Sequence, residues 1–489
     1  MAVSDTDGNL ICHCCVGEDY LSSTINTQGK LGACSYCKEK RECFELEMVG
    51  DLVEEAFDRH YQIAQMEPDG FQWLMMKDKE LAYNFEPDGE PVTYAIMNAI
   101  DSSEEVASDL QSYLAEKHYD RFSAEIGEPT QFSDELHYEE KYASSEDWQS
   151  LWDMFEKEIK SQSRFFSQKG MEFLTSVFKD VNNWHTTEKR QIVANVGPDT
   201  EVKHFFRARV FQSETDLEQA MQRPDQLLGP PPSRLATAGR MNAQGISVFY
   251  GATSINTAVS EVRPPVGSYV LAGQFEILRS LRLLDLTSLE HIRTFGSYFD
   301  PDFEAFLKRA AFMRRLGNIL ARPVLPNDEA IDYVVTQAVA DYLASDSEPS
   351  FDGIMFKSVQ AGDESRNVVL FNKASRVEEI EFAPGTKLSS SSWEQHADGV
   401  DRNYEVKERI PRPAENEESP ETTGEAWPFG GETDQDMDIS IHTDNREKTL
   451  KADKESMTVS IVRAANYVTE DHDVTWWSWE EKEAPLQDF

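Results

Sequence analysis

The stretch from His204 to Arg263 constrains the fold more than any other part of the chain. It opens on HFFRARVF, where Phe206, Ala208 and Val210 alternate with Arg207 and Arg209, the two-residue period of a strand with unlike faces. It continues through GRMNAQGISVFYGA, in which a second short strand, Ile246 to Ala252, carries Tyr250 among small residues. It closes on TAVSEVR, read as a helical turn bearing Glu261. Arginines, an Arg-Met-Asn loop, an aromatic and a carboxylate thus fall within sixty residues. Guanidinium groups are planar, permanently charged donors, so this set suits a phosphorylated ligand and chemistry upon it.

Beyond Arg263, apolar runs at Gly267 to Ile277 and Leu281 to Leu286 have strand character. A helix is predicted over Asp302 to Leu320 and another over Asn327 to Ala344, whose first turn holds Asn327, Asp328 and Glu329. The apolar face of the second helix reads Ile331, Val334, Val335, Ala338, Val339 and Tyr342. FDGIMFKS and NVVLF then give two further strands, with Ser358 where the first meets its loop. Strands interrupted by helices without regular βαβ repetition predict a compact α+β domain.

All six cysteines lie within the first 43 positions. Cys12-x2-Cys15 and Cys34-x2-Cys37 are separated by eighteen residues, so two tight turns could each offer two thiolates to a tetrahedral zinc ion. Cys14 or Cys43 could replace one of the four, and His13 is a further spare. Four protein ligands would close the zinc site, which makes it structural rather than catalytic. Cysteines confined to such a cluster point to a reducing compartment. The N-terminus lacks a charged region followed by an apolar run, and no apolar stretch approaches the length of a membrane span, so the reading is a soluble cytoplasmic protein. With 47 basic against 89 acidic side chains the formal charge is −42, which disfavours nucleic acid as a partner outside a local basic patch such as Lys38, Lys40 and Arg41.

From Glu45 to Asn183 the apolar spacing is helical, as at Ile96, Ala99, Val106 and Leu110. A helical ribonuclease uses an Arg followed a few residues later by a His, and no His here has an Arg at that spacing, so a scaffold, dimer surface or regulatory cap is expected. After Val377 the composition changes. Between Arg412 and Arg446 there is no Lys or Arg against ten Asp or Glu, a composition that cannot bury enough apolar surface to order the chain. The end of the chain combines a strand-like SMTVSIVRA with VTWWSWEE, whose tryptophans could dock on the protein itself or on a partner.

The blocks HFFRARVF, GRMNAQGISVFYGATSINTAVSEVR, YVVTQAVADYL, FDGIMFKSVQAGDESRNVVLF occur in this order over about 200 to 375, and together they resemble the RES domain. The Arg, Glu and Ser that name the family would be Arg207, Glu261 and Ser358. The resemblance implies an ADP-ribosyltransferase-like fold that consumes NAD⁺, releasing nicotinamide by hydrolysis or phosphorolysis, in toxins paired with a neutralising antitoxin. It further implies that Arg207, Arg240 and Arg209 hold the dinucleotide, that Tyr250 packs on it, that Glu261 is the key carboxylate, and that Ser358 bonds the nicotinamide ribose or amide. The preceding helices with their cysteine knuckle are similar to the HEPN-type N-terminal extension of some RES proteins. The expected organisation is a zinc-binding knuckle at 1–44, a helical domain at 45–185, a RES catalytic domain at 190–376, an acidic disordered linker at 377–455 and a Trp-rich segment at 456–489.

The residue types agree with that chemistry. Cleaving the nicotinamide–ribose bond builds positive charge on the sugar, which a carboxylate stabilises. Nicotinamide leaves neutral, so a single carboxylate suffices where a glycosidase needs two. The expectation is an NAD⁺-degrading enzyme acting as a growth-arresting toxin or antiviral effector, with the helical domain as a surface for a homo-oligomer. The alternatives are an ADP-ribosyltransferase that modifies a macromolecule, or a catalytically silent, zinc-containing binding or regulatory protein.

Overall fold

The computed structural model describes residues 8–77, 83–322, 324–325, 327–345, 350–358, 360, 365–396, 399–411, 444–466 and 469–479. At the N-terminus β1 (Leu10–Cys12), β2 (Lys30–Ala33) and β3 (Lys40–Glu45) form an antiparallel sheet in the order β1-β3-β2, with α1 (Asp19–Gln28) between the first two strands. The carboxylate of Glu18 caps α1 by accepting from the Leu21 amide at 2.7 Å, which satisfies one of the free N–H groups of the first turn. α2 (Leu46–His60) follows, burying Val49, Val53, Ala56, Phe57 and His60 at helical spacing.

The chain then runs through β4 (Tyr61–Ile63), α3 (Gly70–Lys77), β5 (Glu90–Pro91), α4 (Val92–Ile100), α5 (Glu104–Lys117), α6 (Arg121–Ile126) and β6 (His137–Glu140). Strands β4, β6 and β5 make a second small sheet in that order, within a region whose sequence reads as wholly helical. Ile11, Val16, Leu21, Ile25 and Phe44 of the knuckle share one core with Val53, Phe57, Ile96, Ile100, Leu110 and Leu114. The expected boundary at residue 44 is therefore not a boundary of packing: the knuckle and helices α2, α4 and α5 exclude water together.

The helices α7 (Glu146–Ser161) and α8 (Gln168–Phe178) belong elsewhere. Trp152, Phe155, Ile159, Leu174 and Phe178 pack with Phe312, Met313 and Leu316 of α12 (Phe303–Ala321) and with Val335 and Val339 of α13 (Glu329–Ala344). The Phe178 and Tyr342 rings stack at 5.9 Å, and Lys160 Nζ lies 2.9 Å from Asp332 Oδ1. The helical segment expected as one domain at 45–185 is thus shared between two cores. α13 turns its buried face through Val335, Val339, Ala340, Tyr342 and Leu343, whereas Ile331, expected on that face, is exposed.

The central region is built on a ten-stranded sheet. Its strands are β7 (Val193–Val196), β8 (His204–Phe211), β9 (Phe249–Ala252), β10 (Tyr269–Ile277), β11 (Leu281–Asp285), β12 (Gly353–Lys357), β13 (Arg366–Leu370), β14 (Val377–Glu378), β17 (Leu450–Ala452) and β18 (Thr458–Ile461), numbered to leave β15 (Lys387–His396) and β16 (Gly399–Arg409) for a separate hairpin. The order is β14-β17-β10-β8-β9-β13-β12-β11-β7, with β18 also pairing with β10. Among the described residues only the β11–β12 and β14–β17 pairs are parallel. α9 (Glu214–Gln222) and α10 (Pro224–Leu227) lie between β8 and β9, and α11 (Ile255–Glu261) between β9 and β10. Phe205, Phe249 and Phe275 are fully buried on one face of the sheet, the last two in edge contact at 5.2 Å, each contributing about 1.5–3 kcal/mol of burial.

The order expected to end near 376 continues. The linker expected to be disordered over 377–455 supplies β14, the β15–β16 hairpin and β17, and residues 412–443, the acidic run, lie outside the described residues. Net composition hid these strands, because the lone apolar residues Leu450 and Ala452 suffice to fill a sheet edge already made by β10. At the C-terminal end β18 forms where SMTVSIVRA predicts a strand. Trp476, Trp477 and Trp479 are exposed, so the aromatic cluster is not docked on the protein. Among the described residues no helix is long and apolar enough to cross a membrane.

Candidate functional site

The sheet carries a seam. β8 pairs with β10 along all eight of its residues, but with β9 only at Phe206 opposite Ala252. Past that point the two strands diverge, and Arg207 fills the opening: its Nη1 donates to the Tyr250 carbonyl at 2.9 Å while its guanidinium lies 5.3 Å from the centre of the Phe249 ring. Gly251 permits the approach, since a Cβ there would meet the Phe206 carbonyl at 3.0 Å and the Phe249 ring at 2.5 Å. A cavity of about 320 Å³ opens at the seam, lined by Arg207, Tyr250, Gly251, Glu261, Tyr333, Phe356 and Asn367 among others. That lies at the small end of the range for ligand pockets, roughly 300–1,000 Å³.

Its electrostatics run against those of the whole chain. Among the described residues four cations line it, Arg207, Arg240, Arg263 and Lys357, against the single carboxylate of Glu261. Among the described residues no carboxylate pairs with Arg207. Burial, and then the nearby Arg209 cation, push the Arg207 guanidinium down to about 10, still far above neutrality, so the group stays charged. A desolvated cation with only a carbonyl for a partner is costly by itself and is relieved by an anion entering the cavity.

Glu261 ends α11, a helix started by Ser254, whose Oγ accepts from the Thr257 amide at 3.2 Å. Its Oε1 accepts from Ser358 Oγ at 2.6 Å and from Asn367 Nδ2 at 2.8 Å. Ser358, at the end of β12, is buried and is spent on the glutamate. Ser358, which the resemblance assigns to the nicotinamide ribose or amide, here donates to Glu261 and accepts from the Gln360 amide at 3.2 Å. The Asn367 side chain, on β13, is a site residue that sequence reasoning missed. It sits in the NVVLF block, and nothing local to that block marks it as more than a strand polar residue.

The Arg-Met-Asn loop is held by the aromatic. Tyr250 Oη donates to Asn242 Oδ1 at 2.8 Å and accepts from the Met241 amide at 3.0 Å, and burial pushes its pKa up to about 12. Gly239 makes room for this hydroxyl, since a Cβ there would lie 2.7 Å from it. Arg240 lines the cavity, but its Nη1 donates to the Leu320 and Arg322 carbonyls at 3.1 and 2.8 Å, capping the end of α12. Arg209 is not brought to the cavity. It is exposed, donates to the Leu227 carbonyl at 2.7 Å and lies over the Phe211 ring, because past the seam β8 is covered by α9 and α10.

At the other end of the chain the ligand atoms of Cys12, Cys15, Cys34 and Cys37 lie within 4.8 Å of one another. The close sulfur pairs are Cys12–Cys37 at 3.5 Å and Cys12–Cys15 and Cys15–Cys34 at 3.7 Å. A tetrahedron of thiolates at about 2.3 Å from zinc has edges of about 3.8 Å, so the donor set fits that ion. Cys43 is buried and bonded to the Gly32 and Arg41 carbonyls, and Cys14 is exposed beside Arg41, so neither takes the place of one of the four.

Fold and site together define an α+β domain whose cavity is lined, among the described residues, by one carboxylate and several cations. Residues 209–391 match the family model of the RES domain. The match takes in Arg209, Arg240, Tyr250, Glu261 and Ser358, begins two residues after Arg207, and ends at Ser391 within β15. No curated protein matches the chain.

Proposed function

We propose that the seam cavity binds NAD⁺ and cleaves its nicotinamide–ribose bond, with water or phosphate as the acceptor, on an ADP-ribosyltransferase-like scaffold. The observation that carries this reading is the opposition of an uncompensated Arg207 cation to a Glu261 carboxylate held by neutral donors within one cavity. Arg207, with Arg263 and Lys357, offsets the pyrophosphate charges, and Arg240 supports the cavity wall through α12. Tyr250 fixes the Arg-Met-Asn loop against which the dinucleotide lies. As the bond to nicotinamide lengthens, the ribose gains positive charge and Glu261 stabilises it. Nicotinamide departs with the bonding electron pair as a neutral base, and the acceptor oxygen attacks the cation and gives up its proton to solvent or to Glu261.

The four cysteines hold a structural zinc ion that ties β1 to the β2–β3 turn, and the N-terminal region acts as a HEPN-type extension that positions or restrains the catalytic part. The physiological setting is NAD⁺ depletion, as a growth-arresting toxin or defence effector with a neutralising partner. Purified protein incubated with NAD⁺ is assayed for nicotinamide. Release in plain buffer supports glycohydrolysis, release only with phosphate supports phosphorolysis, and release only with a protein or nucleic-acid acceptor supports transfer. No release under any of these conditions counts against all three.

A further inference from the structure

We infer that Asn367 is a positioning residue that acts through Glu261, a role that rests on the NAD⁺ reading above. Three observations meet at this side chain. First, Glu261 is the last residue of α11, where the unpaired carbonyls of the helix end disfavour negative charge, so the carboxylate needs donors from elsewhere to hold its place. The donors it has, Ser358 Oγ and Asn367 Nδ2, are both neutral. A lysine or arginine there would hold the carboxylate equally well but would cancel the charge that the developing sugar cation requires. Second, both donors converge on Oε1, and among the described residues Oε2 has no hydrogen-bond partner. The carboxylate is thereby divided into an anchored oxygen and a working one.

Third, the amide is placed at a cost. Asn367 is buried, and among the described residues its Oδ1 has no hydrogen-bond partner. Exchanging the amide atoms would not help, because it would set an oxygen against the Glu261 carboxylate. Buried polar atoms are nearly always paired, and an orphan calls for an explanation beyond stability. A leucine of similar shape would fill the same space on β13 without an unpaired atom. The Nδ2 bond to Glu261 is what only the amide supplies.

The experiment uses the full chain and follows nicotinamide release from NAD⁺ together with thermal unfolding. Asn367→Leu is expected to lower kcat roughly tenfold to a hundredfold with KM close to wild type and an unfolding temperature equal to or above it. In a Glu261→Gln background the same substitution is expected to have no further effect, because the group it acts through is gone. Asn367→Asp sets a second carboxylate against the first, so the pair takes up a proton more readily and the acid limb of the kcat profile moves up by about one pH unit or more. Undiminished kcat in Asn367→Leu, or an equal loss in both backgrounds, overturns the role while leaving the NAD⁺ reading intact. Failure of the wild-type chain to release nicotinamide from NAD⁺ overturns both.

Discussion

The cysteine cluster and the seam cavity solve opposite problems. At the cluster, four groups of one kind crowd within 4.8 Å, a spacing at which they cannot all be thiolates unless a cation sits among them. Four thiolates would fill the positions of a tetrahedral ion and leave none open for chemistry. At the cavity the charges are unlike and, among the described residues, incompletely paired: a carboxylate whose hydrogen bonds both fall on Oε1, and a guanidinium that meets a carbonyl and an aromatic ring. The first arrangement calls for an ion among its sulfurs, which would lend its binding energy to the fold. The second is left incomplete by the fold, and on the proposed reading a ligand completes it.

The largest expected effect breaks the closed site. Replacing Cys34 and Cys37 together by Ser should abolish zinc binding, measured by metal analysis, and remove the low-temperature stability of the N-terminal module, since metal binding and folding are coupled by roughly 10 kcal/mol in small zinc modules. Helices α7 and α8 pack with the RES region rather than with the knuckle, so nicotinamide release should persist in the unseparated chain. Undiminished zinc content would remove these two cysteines from the ligand set. At the open site, Glu261→Gln keeps shape and fold but removes the charge, and kcat should fall by about a hundredfold to a thousandfold with the unfolding temperature unchanged. Wild-type-like turnover would mean that this carboxylate does not face the reacting sugar.

The two sites also differ in how much of them the sequence discloses. Cys12, Cys15, Cys34 and Cys37 announce themselves because each pair is local, and a hairpin-sized separation is enough to bring the pairs together. The cavity draws Arg207 from β8, Tyr250 from β9, Glu261 from α11 and Asn367 from β13, so no local spacing encodes it. Only the order of several blocks pointed to Arg207, Glu261 and Ser358 as a set. Period alone assigned Arg207 and Arg209 to one strand face, which holds, but it could not show that β9 leaves β8 after a single pair, and that divergence is what separates their roles. Asn367 was invisible for the same reason: its partner is 106 residues away. The strands after 377 were hidden by composition, since an acidic average conceals Leu450 and Ala452 completing an edge that β10 provides.

Two further substitutions grade the cavity wall. Arg207→Met should raise KM for NAD⁺ about tenfold to a hundredfold, the loss of a charge-assisted contact, while the ligand-free protein gains stability because a half-buried cation with no carboxylate partner among the described residues is gone. Opposite signs in the KM and the unfolding temperature are the mark of a group kept for its ligand; a fall in both would make Arg207 a structural residue. Arg240→Ala should act the other way, lowering stability by about 1–2 kcal/mol through loss of its bonds to the Leu320 and Arg322 carbonyls, with a smaller change in KM. A large rise in KM at unchanged stability would move Arg240 from the wall into contact with the ligand.

Arg209 supplies the smallest effect and the sharpest contrast. It shares a strand face with Arg207 at two residues' distance, carries the same charge and lies over an aromatic ring in the same manner. It differs in being exposed and in turning to Leu227 rather than to the seam. Arg209→Ala should therefore change both KM and stability by no more than about 0.5 kcal/mol, or roughly twofold in KM. Its cation depresses the pKa of Arg207, so any residual effect should slightly ease the charging of Arg207 rather than weaken ligand binding. An increase in KM comparable to that of Arg207→Met would show that the ligand reaches past the seam to α10, and that the divergence of β8 and β9 does not divide the two arginines into one that binds and one that braces.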